Sequence, residues 1–135
     1  MSGERDPLAS IGAAIEALKN DDALKVFLVG DESIIAKHFP KELMHRAEII
    51  HTDEVVSMDE SPVDALRKKK NSSMRLSVNL VSEGKADACV SSGNTGALMA
   101  NAKYVLKTLP TIDRPAFMKA IPTKRGYTYM LDLGA

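Results

Sequence analysis

Short apolar runs alternate along the chain with segments of helical periodicity, and this alternation constrains the fold more than any other feature. The runs at residues 24–29, 47–51 and 87–90 predict buried strands. Apolar residues at helical spacing predict helices that begin near positions 7, 33, 61, 73 and 95. Strands separated by helices form parallel sheets with helices packed on both faces. The sequence therefore predicts an α/β protein, a three-layer α/β/α domain with a mostly parallel sheet.

Short polar residues at the helix starts support these boundaries. Asp6 before Pro7, Asp31 and Ser73 are expected to act as N-caps, because their side-chain oxygens can accept from the first backbone N–H groups of a helix. Gly84 is expected to end the helix that Ser73 begins.

Both ends of the sequence look like internal points of such a domain. No buried strand precedes the first helix, although doubly wound domains usually begin with one. The two closing strands are predicted at residues 117–121 and 127–133, and an antiparallel pairing between them is one possible arrangement. A further element would be expected beyond them. We therefore expect residues 1–135 to be a single partial α/β domain, truncated at both ends.

Composition argues against several classes of function. The chain has 18 Lys and Arg residues and 18 Asp and Glu residues, so it lacks the basic surplus typical of a nucleic-acid-binding protein. The sequence shows no signal peptide and no apolar run near the roughly 20 residues of a membrane-spanning helix. Its single cysteine cannot form an internal disulfide, and a cytoplasmic protein is expected. The histidines show no metal-ligand spacing, so no metal site is predicted.

The strongest candidate for a binding site is the loop Ser-Ser-Gly-Asn-Thr-Gly, which follows a predicted strand and precedes a predicted helix. Glycines allow a tight turn whose backbone N–H groups converge on an anion, and the helix N-terminus adds partial positive charge. The candidate phosphate-binding residues are Ser91, Ser92, Gly93, Asn94, Thr95 and Gly96. A capped strand–turn–helix that binds nothing would explain the same residues equally well. The pattern matches neither of the glycine-rich nucleotide-binding motifs.

Four stretches of the sequence resemble the PlsX family of bacterial phosphate acyltransferases, in the order in which that family carries them. Residues 88–97 are similar to its segment A-C-V-S-A-G-N-T-G-A, with Ser92 in place of an alanine. Residues 72–75, 112–116 and 131–135 are similar to its S-S-M-R helix, I-x-R-P-A loop and L-D-L-G-A strand end. The resemblance covers nearly the whole chain and identifies it as the N-terminal part of a longer acyltransferase.

The resemblance implies both a fold and an activity. The fold would be Rossmann-like, similar to the phosphate acetyltransferase and isocitrate dehydrogenase-like proteins. The activity would convert fatty acyl-acyl carrier protein and inorganic phosphate into acyl-phosphate and free carrier protein, in fatty acid metabolism and phospholipid biosynthesis. Acyl carrier protein and phosphate are the implied partners, and no cofactor is implied. The intact family implies a homodimer, with peripheral membrane association through the C-terminal portion.

The chain departs from the family at its beginning. Family members open with a strand and a D-x-M-G-G-D-x-x-P loop. Here the strand and its aspartate are missing, and Ser2 and Glu4 replace a glycine and an aspartate. The family's C-terminal portion, which supplies further active-site residues, is absent too, so no catalytic residue is assigned. We expect the chain on its own to be inactive; a phosphate- or phosphoester-binding α/β module and a non-functional remnant are the alternatives.

Five residues outside the loop are candidates for a supporting role: Ser72, Ser73, Arg75, Arg114 and Asp132. Either arginine could hold phosphate or pair with a carboxylate, and Asp132 is favoured to cap a loop. The basic run at residues 67–70 is favoured as a solvated helix end over a surface for an acidic partner. Cys89 is favoured as a buried structural thiol.

Overall fold

The structure is a computed structural model that describes residues 7–131. It is an α/β protein, as the alternation of elements predicts. The elements in chain order are α1 (Pro7–Asn20), β1 (Val26–Gly30), α2 (Glu32–His38), a 3-10 helix (Lys41–Arg46), β2 (Ala47–His51), α3 (Pro62–Lys68), α4 (Ser73–Ser82), α5 (Thr95–Leu106), β3 (Met118–Thr123) and β4 (Gly126–Leu131). Of the helices in this part of the chain, none has both the length and the apolar character needed to cross a membrane.

Strands β1 and β2 form a parallel pair that packs with α1 and α2. Gly30 lies opposite His51 at the end of the pair, and the backbone N–H of Thr52 extends the pairing by donating to the carbonyl of Gly30 at 2.9 Å. One apolar core joins these elements, and its buried residues are Ile11, Leu18, Leu28, Ile35 and Phe39. Because the apolar side chains of α1 recur at helical spacing, one face of that helix can be buried while the other stays in water.

A second, smaller core lies where α3, α4 and α5 meet. Its buried residues are Val56, Ala65, Met74 and Ala97, with Leu98 packed against them. Val56 belongs to the segment that follows β2, so this core joins that segment to the start of α5. The candidate loop therefore lies over packed apolar side chains.

The N-caps of α2 and α4 come from short polar side chains. Asp31 accepts hydrogen bonds from two backbone N–H groups in the first turn of α2, as predicted. The prediction that Ser73 caps the next long helix is wrong by one residue. The cap of α4 is Ser72, which has extended backbone angles and whose hydroxyl accepts from the N–H of Arg75. Ser73 is already helical, and its N–H donates to the carbonyl of Glu54 at 2.9 Å.

Residues 87–90 do not form the predicted third strand. Gly84 follows α4 with a φ of 68°, which glycine adopts readily, and the N–H of Lys85 then donates to the carbonyl of Leu80. Val90, expected in the sheet, is 95% exposed. A four-residue run with one large apolar side chain buries too little surface to hold a strand against a neighbour. In the described part of the chain the parallel sheet therefore has two strands rather than three.

Strands β3 and β4 form an antiparallel hairpin, the arrangement that the sequence leaves open. The strands meet where Thr123 lies opposite Gly126, and the φ of 138° at this glycine is one that other residues rarely adopt. Every residue of both strands is exposed, so the hairpin belongs to neither core. The predicted extension of the last strand to position 133 lies outside the described residues, as does the predicted cap at Asp6.

Candidate functional site

The candidate loop has an inner face and an outer face. Gly93 is buried and Asn94 is 8% exposed, and the N–H of Gly93 donates to Oγ of Ser91 at 3.2 Å within the turn. Ser92 and Thr95 are exposed. A ligand arriving from solvent would therefore meet the hydroxyls of Ser92 and Thr95 first.

The start of α5 supplies further groups that can bind an anion. The first backbone N–H groups of a helix, here those of Thr95 and Gly96, have no acceptor within the helix. Aligned peptide dipoles also leave partial positive charge at this end. Asn94 is the N-cap, and its Oδ1 accepts from the N–H of Ala97 at 2.9 Å. The two N–H groups and the nearby hydroxyls together form a donor set of the kind that binds phosphate at helix starts.

The side chain of Asn94 also ties the loop to the segment that precedes α3. Its Nδ2 donates to the backbone carbonyls of Ser57, Met58 and Glu60 at 3.2, 2.9 and 2.8 Å. An amide nitrogen carries two protons, so these carbonyls use its whole capacity as a donor. In this arrangement Asn94 faces protein carbonyls, and the groups open to phosphate are those of its neighbours.

An ion pair fixes the segment that Asn94 contacts. Nζ of Lys69 lies 2.6 Å from Oε2 of Glu60 and 2.6 Å from the carbonyl oxygen of Val55. The same carboxylate oxygen accepts from the N–H of Ser57 at 3.2 Å. The hydrogen bond from Lys69 lowers the pKa of the Glu60 carboxyl below its ordinary value, so this side chain is ionised at neutral pH.

Gly96 lies where α5 passes the start of α3. A Cβ atom on Gly96 would lie 3.0 Å from Cγ of Pro62 and 3.6 Å from Oδ1 of Asn94. Carbon atoms in favourable contact are about 3.5 to 4.0 Å apart, so a larger residue would press the two helix starts apart. This glycine therefore permits close packing of α3 and α5, in addition to its predicted place in the turn.

Three of the five supporting candidates lie at the start of α4. Ser72 and Ser73 are buried at the start of α4. Arg75 reaches α5, where its Nη1 donates to Oδ1 of Asn101 at 3.2 Å and its guanidinium carbon lies 4.9 Å from the ring centre of Tyr104. These contacts with an amide oxygen and an aromatic ring hold the arginine between the two helices.

The other two supporting candidates are not brought to the loop by any described contact. Arg114 is exposed in the segment between α5 and β3. The residue before it, Asp113, is tied to α5, because its backbone carbonyl accepts a hydrogen bond from Nζ of Lys103 at 2.9 Å. Asp132 lies outside the described residues. A supporting role for either residue stays a prediction.

The basic run at the end of α3 is partly neutralised within the protein. Lys68 pairs with Asp64 one turn earlier at 2.8 Å, and Lys69 pairs with Glu60. Arg67, Lys68 and Lys70 are exposed. The arrangement fits the favoured interpretation, a solvated helix end, for three of the four residues of the run.

Cys89 is less buried than the predicted structural thiol, and it lies outside any strand. It is half-buried, and burial raises the pKa of its thiol above the ordinary value. A thiol that stays protonated at neutral pH is a poor nucleophile. Between positions 7 and 131, no three His, Cys, Asp or Glu side chains are grouped so that they could hold a metal ion.

A cleft that no sequence pattern predicted lies at the carboxyl ends of β1 and β2. It has a volume of about 300 Å³, and its lining includes Asp31, Thr52 and Asp53 beside apolar side chains. Residues that directly follow parallel strands meet at one edge of a sheet. The positions of Asp31 and Thr52, directly after the two strands, are the feature of the sequence from which this cleft could have been predicted. The segment that begins at Thr52 continues to the carbonyls that Asn94 contacts, so cleft and loop share one stretch of chain.

Known proteins resemble the chain over its whole length. The family model described as "Fatty acid synthesis protein" matches residues 1–135. A phosphate acyltransferase from Shewanella sp. (strain ANA-3) is 52% identical over 139 residues, which cover 100% of this chain and 41% of that protein. A phosphate acyltransferase from Coxiella burnetii (strain RSA 493 / Nine Mile phase I) is 54% identical over 140 residues, with the same two coverages. The chain thus spans about two fifths of the length of the curated relatives it matches.

Proposed function

This chain belongs to the fatty acid synthesis protein family, and on that premise we propose that it is the part of a PlsX-type phosphate acyltransferase that holds the phosphate substrate. The resemblance predicted from the sequence motifs is confirmed by the family match and by relatives named phosphate acyltransferase. The proposed reaction converts fatty acyl-acyl carrier protein and inorganic phosphate into acyl-phosphate and free carrier protein.

The proposed reaction asks for positioning more than for reactive side chains, because phosphate is itself a nucleophile at neutral pH. A phosphate oxygen attacks the carbonyl carbon of the thioester and forms the new C–O bond. The C–S bond then breaks, and the carrier thiolate leaves and takes up the proton that the attacking hydrogen phosphate gives up. The protein has to hold the phosphate in place and stabilise the developing oxyanion. The scheme requires no cofactor.

We assign the phosphate to the outer face of the loop. The observation that carries this assignment is the pair of exposed hydroxyl side chains, Ser92 and Thr95, beside a capped helix start that rests on a packed core. The N–H groups of Thr95 and Gly96 add donors at the positive end of α5. Ser91 and Gly93 shape the turn through their mutual hydrogen bond.

The finer architecture is part of the same proposal. The parallel pair β1–β2 with its helices supports a three-layer α/β/α domain, Rossmann-like and similar to the phosphate acetyltransferase and isocitrate dehydrogenase-like proteins. In that architecture residues 1–135 are a single partial domain. A cytoplasmic homodimer with peripheral membrane association follows from the family resemblance alone.

The assignment can be tested in a full-length relative that carries the same loop. Changing the residue equivalent to Thr95 to valine removes a hydroxyl and keeps the side-chain size. A lost hydrogen bond to a charged group raises the apparent KM for phosphate roughly 10- to 100-fold, while the KM for acyl carrier protein stays near its original value. The equivalent of Thr108→Val, beyond the end of α5, is the matched control. Unchanged phosphate dependence in the Thr95 variant would show that the loop is only a structural turn.

A phosphate-binding module without turnover is the second candidate for the chain on its own. It is favoured because the loop, its helix and its supporting core all lie within the described residues, although the chain spans 41% of the length of its relatives. Phosphate-dependent amide shifts at residues 91–96 without acyl-phosphate formation would support this candidate. Turnover near that of a full-length relative would contradict our expectation that the chain alone is inactive.

A further inference from the structure

We infer that Asn94 is a positioning residue for the phosphate loop, and that it acts through its contact with residues 57–60. The inference rests on the proposed function of the loop and deepens it by naming the contact that sets the loop's conformation. Asn94 is 8% exposed, so its polar atoms act within the protein and leave the outer face of the loop to the ligand.

One side chain joins two separate parts of the chain. Oδ1 of Asn94 accepts from the N–H of Ala97 at 2.9 Å and fixes the start of α5. Nδ2 donates to three backbone carbonyls between residues 57 and 60 at 2.8 to 3.2 Å. Because both ends of the amide are bonded, the start of α5 and this segment are held at one relative position.

The residue type at this position is more restricted than a helix cap requires. Ser, Thr, Asp and Asn all cap helices well. If Asn94 were only a helix cap, an aspartate in its place would therefore serve as well. At Asn94, however, an aspartate would turn a carboxylate oxygen toward three carbonyl oxygens. A serine would keep the cap but could not offer two protons to the carbonyls. The two explanations therefore differ most sharply for Asn94→Asp.

The segment on the other side of the contact is firmly anchored. Glu60 and Lys69 form an ion pair with an N–O distance of 2.6 Å, and Lys69 also donates to the carbonyl of Val55. Val56 is buried in the second core together with Ala97. Because these contacts do not involve Asn94, they would hold the segment in place if the contact were broken, and the loop would be the part that moves.

The test compares Asn94→Asp with Asn20→Asp in the 135-residue chain. Asn20 is exposed at the end of α1, so its variant adds the same negative charge away from the contact. Amide hydrogen exchange is measured without phosphate at Gly93, whose N–H is bonded within the loop. The N–H of Glu60, which is bonded within the anchored segment, is the internal reference and should exchange at its wild-type rate. The dissociation constant for inorganic phosphate is measured from amide shifts. Loss of the Nδ2 donor predicts at least about tenfold faster exchange at Gly93 and at least about tenfold weaker phosphate binding in Asn94→Asp, with no change in Asn20→Asp.

Two further readouts separate positioning from general damage. Protonation of the new carboxyl at acidic pH restores one donor. Because amide exchange slows in every variant as the pH falls, the readout is the ratio of the Asn94→Asp rate to the wild-type rate at Gly93, which should return toward one. Asn94→Ser keeps a helix cap without adding charge. It should also speed exchange at Gly93 and weaken phosphate binding, each by less than Asn94→Asp does. If Asn94→Asp does not fold, the serine variant decides the question by the same two measurements.

The outcomes are distinguishable. Wild-type exchange and wild-type phosphate affinity in the Asn94 variants overturn the inference, and so does faster exchange with unchanged phosphate affinity. If the wild-type chain shows no phosphate-dependent shifts, the proposed function fails for this chain, and the exchange rates alone then decide whether Asn94 positions the loop.

Discussion

We expect Gly96→Ala to destabilise the chain, although alanine favours helices more than glycine does. The added Cβ would lie 3.0 Å from Cγ of Pro62, about half an ångström inside favourable contact distance. Overpacking costs about 1 to 3 kcal/mol, whereas replacing a helical glycine by alanine contributes about 0.5 to 1 kcal/mol of stability. The steric term is the larger, so we expect a net loss of about 1 kcal/mol.

Gly12→Ala is the matched control. Gly12 lies inside α1, and an added Cβ there would meet no atom of a neighbouring element within 4 Å. Only the helix-propensity gain remains, so this variant should be more stable than the wild type by about 0.5 to 1 kcal/mol. Pro62→Ala is the second control, because it removes the Cγ atom that Gly96→Ala would meet. A double-mutant cycle separates the steric term from the cost of losing a proline in the first turn of α3.

The measurement is urea unfolding followed by far-UV circular dichroism on the wild type, the three single variants and the Gly96→Ala/Pro62→Ala double variant. We expect Gly96→Ala to become neutral or stabilising in the Pro62→Ala background. The reasoning is refuted if Gly96→Ala stabilises the wild-type chain as much as Gly12→Ala does. It is equally refuted if the effect of Gly96→Ala is the same with and without the proline ring.

Three other outcomes are expected. Leu18→Ala should lower the free energy of unfolding by about 2 to 5 kcal/mol, because Leu18 is fully buried in the first core. Leu109 is 76% exposed, so Leu109→Ala should change that free energy by no more than about 0.5 kcal/mol in the same urea titration. The pKa of Glu60 in the folded chain is lowered from its ordinary value of 4.5, so its ion pair should stabilise the fold above pH 4.5 and lose this contribution as the pH falls through the lowered pKa. Glu60→Gln should therefore make the unfolding midpoint depend less on pH on the acid side. An unchanged pH dependence would contradict the ion pair's assigned contribution. Cys89, with its raised pKa, should react with iodoacetamide more slowly than free glutathione at neutral pH, and denaturation should remove the difference, as mass spectrometry would show.

Local signals in the sequence predicted most elements well, because they act within a single turn of chain. The predicted second strand and the predicted fifth helix coincide with Ala47–His51 and Thr95–Leu106. Asp31 caps α2 through N–H groups two and three residues away. A contact of that range depends little on the rest of the fold, so it can be read without knowing what packs nearby.

The failures come from contacts of long range. The strand predicted at residues 87–90 had to pack against distant parts of the chain, and Val90, its one large apolar side chain, is instead 95% exposed. The role of Asn94 was predicted in part: the residue type indicates a helix cap, and the cap is present. Its other contact, with Glu60, spans 34 residues, and no periodicity or spacing in the sequence marks it.

The exposed hairpin β3–β4 has a consequence for how the stability of this chain is measured. Two of the chain's three tyrosines, Tyr127 and Tyr129, lie on β4, and tryptophan is absent. A two-stranded hairpin without a core is marginally stable in water, and a unit that shares no core with the rest can open independently. Intrinsic fluorescence will therefore follow the opening of the hairpin, while circular dichroism follows the helices, and the two transitions should not coincide. A urea titration followed by tyrosine emission alone would report the midpoint of hairpin opening, and it would say little about the unfolding of the helices and the core that support the loop.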